Sequence, residues 1–134
     1  MLSAMGKRET MAAGLARITA VCDGLPEAQP ESRGTHTAFA VRGKKFAYHL
    51  VDHHGDGRIA FECKAAPGEN AAMVASEPER YFLPKYMAHH GWVGVWLDAG
   101  PVDWDEVREL MTEAYCLMAP KRLAAEVTAS LPLP

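Results

Sequence analysis

Residues 38–51 read AFAVRGKKFAYHLV and contain two short apolar runs on either side of a basic turn with a central glycine. Large apolar side chains alternate with other residues along both runs, as in strands that bury one face. Gly43 lies within the Arg42–Lys44 turn and can adopt the positive φ that tight hairpins need. The stretch therefore predicts a β-hairpin with strands over residues 38–41 and 45–51.

The sheet is expected to continue beyond this hairpin. A turn rich in Asp and Gly over residues 52–57 leads to a third predicted strand, Arg58–Cys63. Alternation along the second strand places Phe46, Tyr48 and Leu50 on one face and Ala47, His49 and Val51 on the other. In the third strand, Ile59, Phe61 and Cys63 share one face. Three strands joined by short turns form an antiparallel meander.

Two segments have the apolar spacing of amphipathic helices. Apolar residues recur at steps of three and four over residues 7–24 and again over residues 103–118. Asp103, with Glu106 three residues later, fits a capping pair at the start of the second helix. Pro120 interrupts that helix, and a short helix over residues 121–128 is expected to follow.

The remaining segments are short. Residues 26–37 have no apolar periodicity, which predicts a loop. A short helix over residues 67–76, an edge strand at Tyr81–Leu83 and a strand over residues 92–97 are expected to follow. In that last strand Trp92, Gly94 and Trp96 share one face, and Gly94 leaves room for a close neighbour.

Together these elements predict an α+β fold, a two-layer sandwich with helices on one face of an antiparallel sheet of about five strands. The chain has 134 residues, which fits a single domain with its own apolar core, placed here at residues 7–128. Residues 1–6 and 129–134 are expected to be flexible termini.

The composition argues against several classes of protein. Apolar residues make up 49% of the chain and the formal net charge is −3, which disfavours global disorder and a large overall positive field. The cysteine count is 3, with no CxxC pair, which favours reduced thiols in a cytoplasmic protein. No segment has the pattern of a membrane span or a signal peptide.

Five segments carry a family resemblance: Thr37–Ala47, Arg80–Tyr86, Gly91–Val93, Ala114–Tyr115 and Ala119–Arg122. In this order they resemble the MmcQ/YjbR family of small bacterial proteins, whose domain is also called DUF419. The likeness spans roughly residues 13–125.

The resemblance implies a frataxin-like, CyaY-type sandwich and a DNA-binding role, and it implies no catalytic residues. It does not imply the iron binding of frataxins, whose first helix is conspicuously acidic. Here Lys7, Arg8 and Arg17 outnumber Glu9 in the first predicted helix.

Basic side chains at the predicted hairpin tip form the first candidate site, because Lys and Arg neutralise phosphates and position a protein on a duplex. The candidate DNA-binding residues are Arg42, Lys44, Lys45, Lys85, Lys121 and Arg122. Solvated surface lysines without a partner remain the alternative interpretation of the same residues.

Aromatic residues form the second candidate site, which would bind a small ligand or a protein partner. Its candidate residues are Tyr86, His90, Trp92 and Trp96. The two hypotheses differ in salt dependence, since phosphate contacts weaken strongly with salt and apolar burial does not.

Other chemistries lack their motifs. The adjacent pairs His53–His54 and His89–His90 would point to opposite faces on a strand, and no HExxH motif is present, so no metal site is predicted. No serine has a GxSxG context and no phosphate-binding loop occurs. We therefore expect no cofactor and no enzymatic activity; the third alternative, a metal-assisted enzyme that uses the histidines, would need at least three ligands at one ion. Cys22 and Cys63 are expected to be buried and inert.

Overall fold

A computed structural model describes residues 4–130 of the chain as a six-stranded sheet with four α-helices. The helices are α1 Ala4–Asp23, α2 Glu69–Ser76, α3 Trp104–Met118 and α4 Lys121–Ser130. The strands are β1 Ala28–Arg33, β2 His36–Val41, β3 Lys44–Val51, β4 Ile59–Lys64, β5 Tyr81–Phe82 and β6 Trp92–Trp96. Of the termini predicted to be flexible, residues 4–6 and 129–130 belong to α1 and α4, and the others lie outside the described residues.

All neighbouring strands are antiparallel, and their order across the sheet is β1-β2-β3-β4-β6-β5. Helices α1, α3 and α4 contribute Ile18, Met111, Tyr115 and Leu123 to a core that faces one side of the sheet. The α+β sandwich is confirmed, with six strands where about five were predicted.

The additional strand is β1, and the prediction of a loop over residues 26–37 was wrong. All but the first of its residues are exposed, so it has no apolar alternation that a sequence pattern could reveal. Backbone pairing with β2, from Ala28 opposite Val41 to Arg33 opposite His36, holds it at the sheet edge. Pro30 is compatible with this position because an edge strand leaves one row of N–H groups unpaired.

The face assignment along β3 was wrong at Phe46. The register between β2 and β3 shifts at Phe39 and Ala40, so that Phe39 opposes Ala47 while Ala40 opposes Lys45. This irregularity places Phe46 in the core together with Ala47 instead of on the face of Tyr48.

The start of α3 has the predicted capping pair. The Asp103 carboxylate accepts a hydrogen bond from the Glu106 N–H at 3.2 Å, which confirms the cap of α3.

Cys22 and Cys63 are buried as predicted, and burial raises the pKa of the Cys22 thiol to about 11. Among the described residues, no helix has both the length and the apolarity needed to cross a bilayer.

Candidate functional site

The sheet has a second face, on the side away from the core helices. Phe61, Cys63, Val93 and Val95 point into the helix-covered core, so the residues between them point the other way. Across the paired strands, Tyr48 lies opposite Glu62, which in turn lies opposite Gly94. We call this surface the open face.

Glu62 is the unusual residue of the open face, because it is only 7% exposed. Its carboxyl group makes no hydrogen bond or ion pair with any residue between 4 and 130. Burial, with a smaller contribution from the Asp56 carboxylate, raises the pKa of Glu62 from 4.5 to about 7. Strongly perturbed carboxyl groups of this kind concentrate in functional sites.

A cavity of about 310 Å³ lies over Glu62. Its apolar lining consists of Leu50, Ala60, Phe82, Leu83 and Trp96. Its polar lining, besides Glu62, consists of His53, His54, Asp56, Arg58 and Lys85. An apolar cavity with a few convergent polar groups is the usual form of a small-molecule site. We call it the Glu62 cavity.

One wall of the Glu62 cavity is a stack of side chains on Trp96. The Phe82 ring lies on Trp96 with centroids 4.0 Å apart, and the Arg58 guanidinium lies 3.9 Å from the Trp96 ring. Arg58 also pairs with Asp98, at 2.9 Å between Nη2 and Oδ1. Gly94 makes the stack possible, because a Cβ atom there would lie 2.1 Å from Cζ of Phe82. The predicted close approach at Gly94 is therefore confirmed.

The rim of the cavity carries backbone strain. The described residues include five non-glycine positions with positive φ. Three of them lie at or next to the cavity: His54 lines it, Asp52 precedes the lining residue His53, and Tyr86 follows the lining residue Lys85. Such conformations cost energy and concentrate at binding and switch sites. Tyr86 is 73% exposed, and its ring lies 6.2 Å from that of His54.

Histidine rings continue along the same rim. The His53 ring lies 3.9 Å from that of His54 and 5.1 Å from that of His36. Burial, followed by the neighbouring His54 and His36, lowers the pKa of His53. His53 therefore favours the neutral form. Within residues 4–130, no three His, Cys, Asp or Glu side chains are arranged to hold a metal ion.

The structure separates the four predicted aromatic-site residues. Trp96 lines the Glu62 cavity and Tyr86 lies at its rim. Trp92 is buried against Tyr48, with ring centroids 5.5 Å apart, and His90 belongs to another hollow beside Lys64 and Asn70. The stack of Phe82 and Arg58 on Trp96 means that this indole offers a ligand its edge and not an open face.

The six predicted DNA-binding residues do not all lie on one surface of the molecule. Arg42 forms a two-point ion pair with Glu27 at 3.0 Å, and Arg122 approaches both Glu27 and Glu126. Lys44 and Lys45 are exposed at the same end of the molecule and make no ion pair with any described residue, and Lys121 is likewise exposed next to Arg122. Lys85 lines the Glu62 cavity with Leu50, at the end of β3 remote from the hairpin tip.

A larger cleft of about 440 Å³ lies between the α2–β5 connection and the start of α3. Its cation, Arg80, already faces Glu106 at 3.4 Å and Glu77 at 3.9 Å. Because these charges satisfy one another, the cleft offers a weaker polar anchor than Glu62 does.

Sequence reasoning missed Glu62 and the residues that cover it. One signal was present, since Glu62 is the single charged residue in the apolar run of residues 59–63. Its burial depends on the segment containing Phe82, Leu83 and Lys85, which is distant in sequence and whose path over the sheet no local pattern predicts.

Comparisons with known proteins agree with this fold. The family model described as YjbR matches residues 23–117. A crystal structure of a Deinococcus radiodurans protein with a DUF419 domain is similar, with a TM-score of 0.65 and 21% sequence identity over 88% of each chain. No match was found among curated proteins. Since the family model covers well over half of the sequence, the chain belongs to the YjbR family.

Proposed function

We propose that this protein binds a small molecule in the Glu62 cavity, with Glu62 as the polar contact that fixes the ligand. The observation that carries the proposal is Glu62, a residue only 7% exposed whose carboxyl group opens onto the cavity and has no hydrogen-bond partner among the described residues. A carboxyl group at the base of a largely apolar cavity has little access to bulk water, so a ligand that donates a charge-assisted hydrogen bond to it is favoured there. The apolar walls supply the remaining contact area.

A fragment screen by amide NMR tests this function. Fragments that bind are expected to shift the amide signals of Leu50, Glu62 and Leu83. Ala60→Leu fills the cavity and should abolish these shifts, whereas Ala16→Leu, on the exposed side of α1, should leave them unchanged. Hits that persist in Ala60→Leu, or that shift only the larger cleft around Arg80, would contradict the proposal.

DNA binding through the hairpin tip is the second candidate function. It is favoured by Lys44 and Lys45, two exposed lysines without an ion pair to any described residue, held at a tight turn. Arg42 and Gly43 both have positive φ, as in the type I′ turns that make hairpins rigid. With Lys121 and Arg122 nearby, a phosphate-binding patch of four cations would result.

Fluorescence anisotropy of a labelled 20-base-pair duplex tests this candidate. Four phosphate contacts predict that affinity falls on the order of a hundredfold between 50 and 200 mM salt. Lys44→Glu/Lys45→Glu should abolish binding. Arg8→Glu/Arg33→Glu makes the same change in net charge elsewhere and should have little effect. Equal loss in both variants, or no binding at 50 mM salt, would contradict a specific role for the hairpin.

A further inference from the structure

We infer that the ligand of the Glu62 cavity is a small amino-carboxylate, with its ammonium group at Glu62 and its carboxylate at Lys85. This inference rests on the proposed function and adds the chemical class of the ligand. It follows from which charged groups of the cavity already have partners and which do not.

Two of the charged groups around the cavity have protein partners. Arg58 is held by Asp98, which also accepts the Ile59 N–H at 2.9 Å. Asp56 accepts the backbone N–H of Arg58 at 2.9 Å. These groups shape the wall and keep their partners when a ligand enters.

Two other charged groups form no hydrogen bond or ion pair with a described residue, although the Lys85 ammonium lies 5.9 Å from the centroid of the Tyr86 ring. Glu62 lies inside the cavity, and Lys85 is exposed at its mouth without an ion pair to any residue from 4 to 130. An acidic group inside and a basic group outside complement a molecule with a cationic end and an anionic end. Charge-assisted hydrogen bonds at both ends are stronger than neutral ones.

The surroundings of Glu62 favour an ammonium group over a second acidic or apolar group. A buried carboxylate is stable only when it is paired and hydrogen-bonded, and an ammonium donates up to three hydrogen bonds. The apolar lining of Leu50, Leu83 and Phe82 suits a methylene chain between the two charged ends. The cavity of about 310 Å³ lies at the lower end of the range for ligand sites, so the chain must be short.

Binding of the ammonium should also release a proton. With a pKa of about 7, Glu62 is partly protonated near neutral pH before a ligand binds. A cation at hydrogen-bond distance favours the ionised carboxylate, so the proton leaves Glu62 for solvent as the ligand binds. The rim groups that face Glu62 are His53, His54, Asp56 and Lys85, and none of them needs to change charge for this exchange.

Calorimetry and NMR titrations with glycine, β-alanine, 4-aminobutyrate and 6-aminohexanoate test the inference, with n-butylamine and butyrate as single-ended controls. At least one amino-carboxylate should bind tenfold more tightly than either control. Glu62→Gln should weaken that binding at least tenfold and abolish proton release, measured as the dependence of the binding enthalpy on the buffer. Lys85→Gln should weaken it severalfold without affecting n-butylamine, and Lys44→Gln, a lysine outside the cavity, should change nothing.

The outcomes separate this inference from the proposed function. The assigned ligand class would be overturned if butyrate bound as tightly as the amino-carboxylates. It would also be overturned if Glu62→Gln left the affinity for the amino-carboxylates unchanged. Fragments that bind in the cavity when no amino-carboxylate does would overturn the inference and leave the proposed function standing. If neither class of probe shifts the cavity amides, both are wrong.

Discussion

Glu62 and His49 lie on opposite faces of neighbouring strands, and both residues are buried. Neither side chain makes a hydrogen bond with a described residue: the ring nitrogens of His49 are fully enclosed, whereas the Glu62 carboxyl group opens onto its cavity. His49 lies beneath α1, where its Nε2 would be 3.6 Å from a Cβ atom at Gly14. Burial, with a smaller contribution from His36, lowers the pKa of His49 from 6.5 to about 4. Each group therefore links folding to pH, and the two act in opposite directions.

The direction of each pH effect on stability follows from the number of protons bound in the folded and unfolded states. Between pH 6.5 and about 4, His49 is protonated in the unfolded chain and neutral in the folded protein. Stability therefore falls as pH falls through this range. Between pH 4.5 and about 7, Glu62 is ionised in the unfolded chain and protonated in the folded protein. Stability therefore falls as pH rises through this range. The difference in pKa between the folded and unfolded states corresponds to roughly 3 kcal/mol for each group, so the two effects nearly cancel.

We therefore expect a nearly flat stability profile for the wild type between pH 4.5 and 6.5. Glu62→Gln should become more stable by up to about 3 kcal/mol as pH rises through this window, and His49→Leu should become less stable by a similar amount. Urea denaturation at four pH values between 4.5 and 7.5 measures these slopes. Parallel profiles for all three proteins would contradict the assignment.

Gly43 gives a second prediction at the scale of one residue. Its φ of +79° is accessible to glycine and costs other residues roughly 1–2 kcal/mol. Gly43→Ala should therefore destabilise the protein by about that amount, measured by thermal or urea unfolding. Gly24→Ala is the matched control, because Gly24 is not among the positive-φ residues and an added Cβ meets only an ordinary contact at 3.5 Å. Equal losses in the two variants would show that the hairpin turn carries no strain.

At the scale of elements, β5 and β6 meet through Phe82 and Gly94. Gly94→Ala would drive a Cβ atom to 2.1 Å from Phe82 Cζ, and Phe82 cannot move away without leaving its stack on Trp96. We expect a loss of about 1–3 kcal/mol, in the range of overpacked cores. The stack would also separate, which near-ultraviolet circular dichroism should detect.

A double-mutant cycle identifies the cause. In a Phe82→Ala background the obstacle is gone, so Gly94→Ala should cost much less than it does in the wild type. A coupling energy above 1 kcal/mol between the two positions would support direct contact. Additive losses would mean that Gly94 is needed for some other reason.

Whole-molecule organisation was predictable where local patterns determine it. The hairpin at Arg42–Gly43, the cap at Asp103 and the alternation of β6 each depend on residues within a few positions, and each appears in the structure. Strand β1 was not predictable, because an exposed edge strand is held by backbone pairing and needs no apolar pattern. The irregularity at Phe46 arises from a register shift, which no alternation rule foresees.

The candidate site was predictable only in fragments. Tyr86, Trp96 and Lys85 were each singled out, but in two different hypotheses. They come together because the segment after β5 lies over the open face, which is a property of chain topology. The hairpin lysines remain a prediction that the duplex titration decides.

The strand order determines which part of the sheet opens most readily by local unfolding. Strand β5 consists of two residues, and β6 is the only strand with which it pairs in the described sheet. Strands β2, β3 and β4 each have a partner on both sides. Among the strands, amide hydrogen exchange should therefore be fastest at Tyr81 and Phe82 and slowest along β3, because small openings release the weakest-paired edge first. The segment that covers Glu62 continues directly from that edge, so the cavity can admit solvent or a ligand by local opening while the rest of the sheet stays closed.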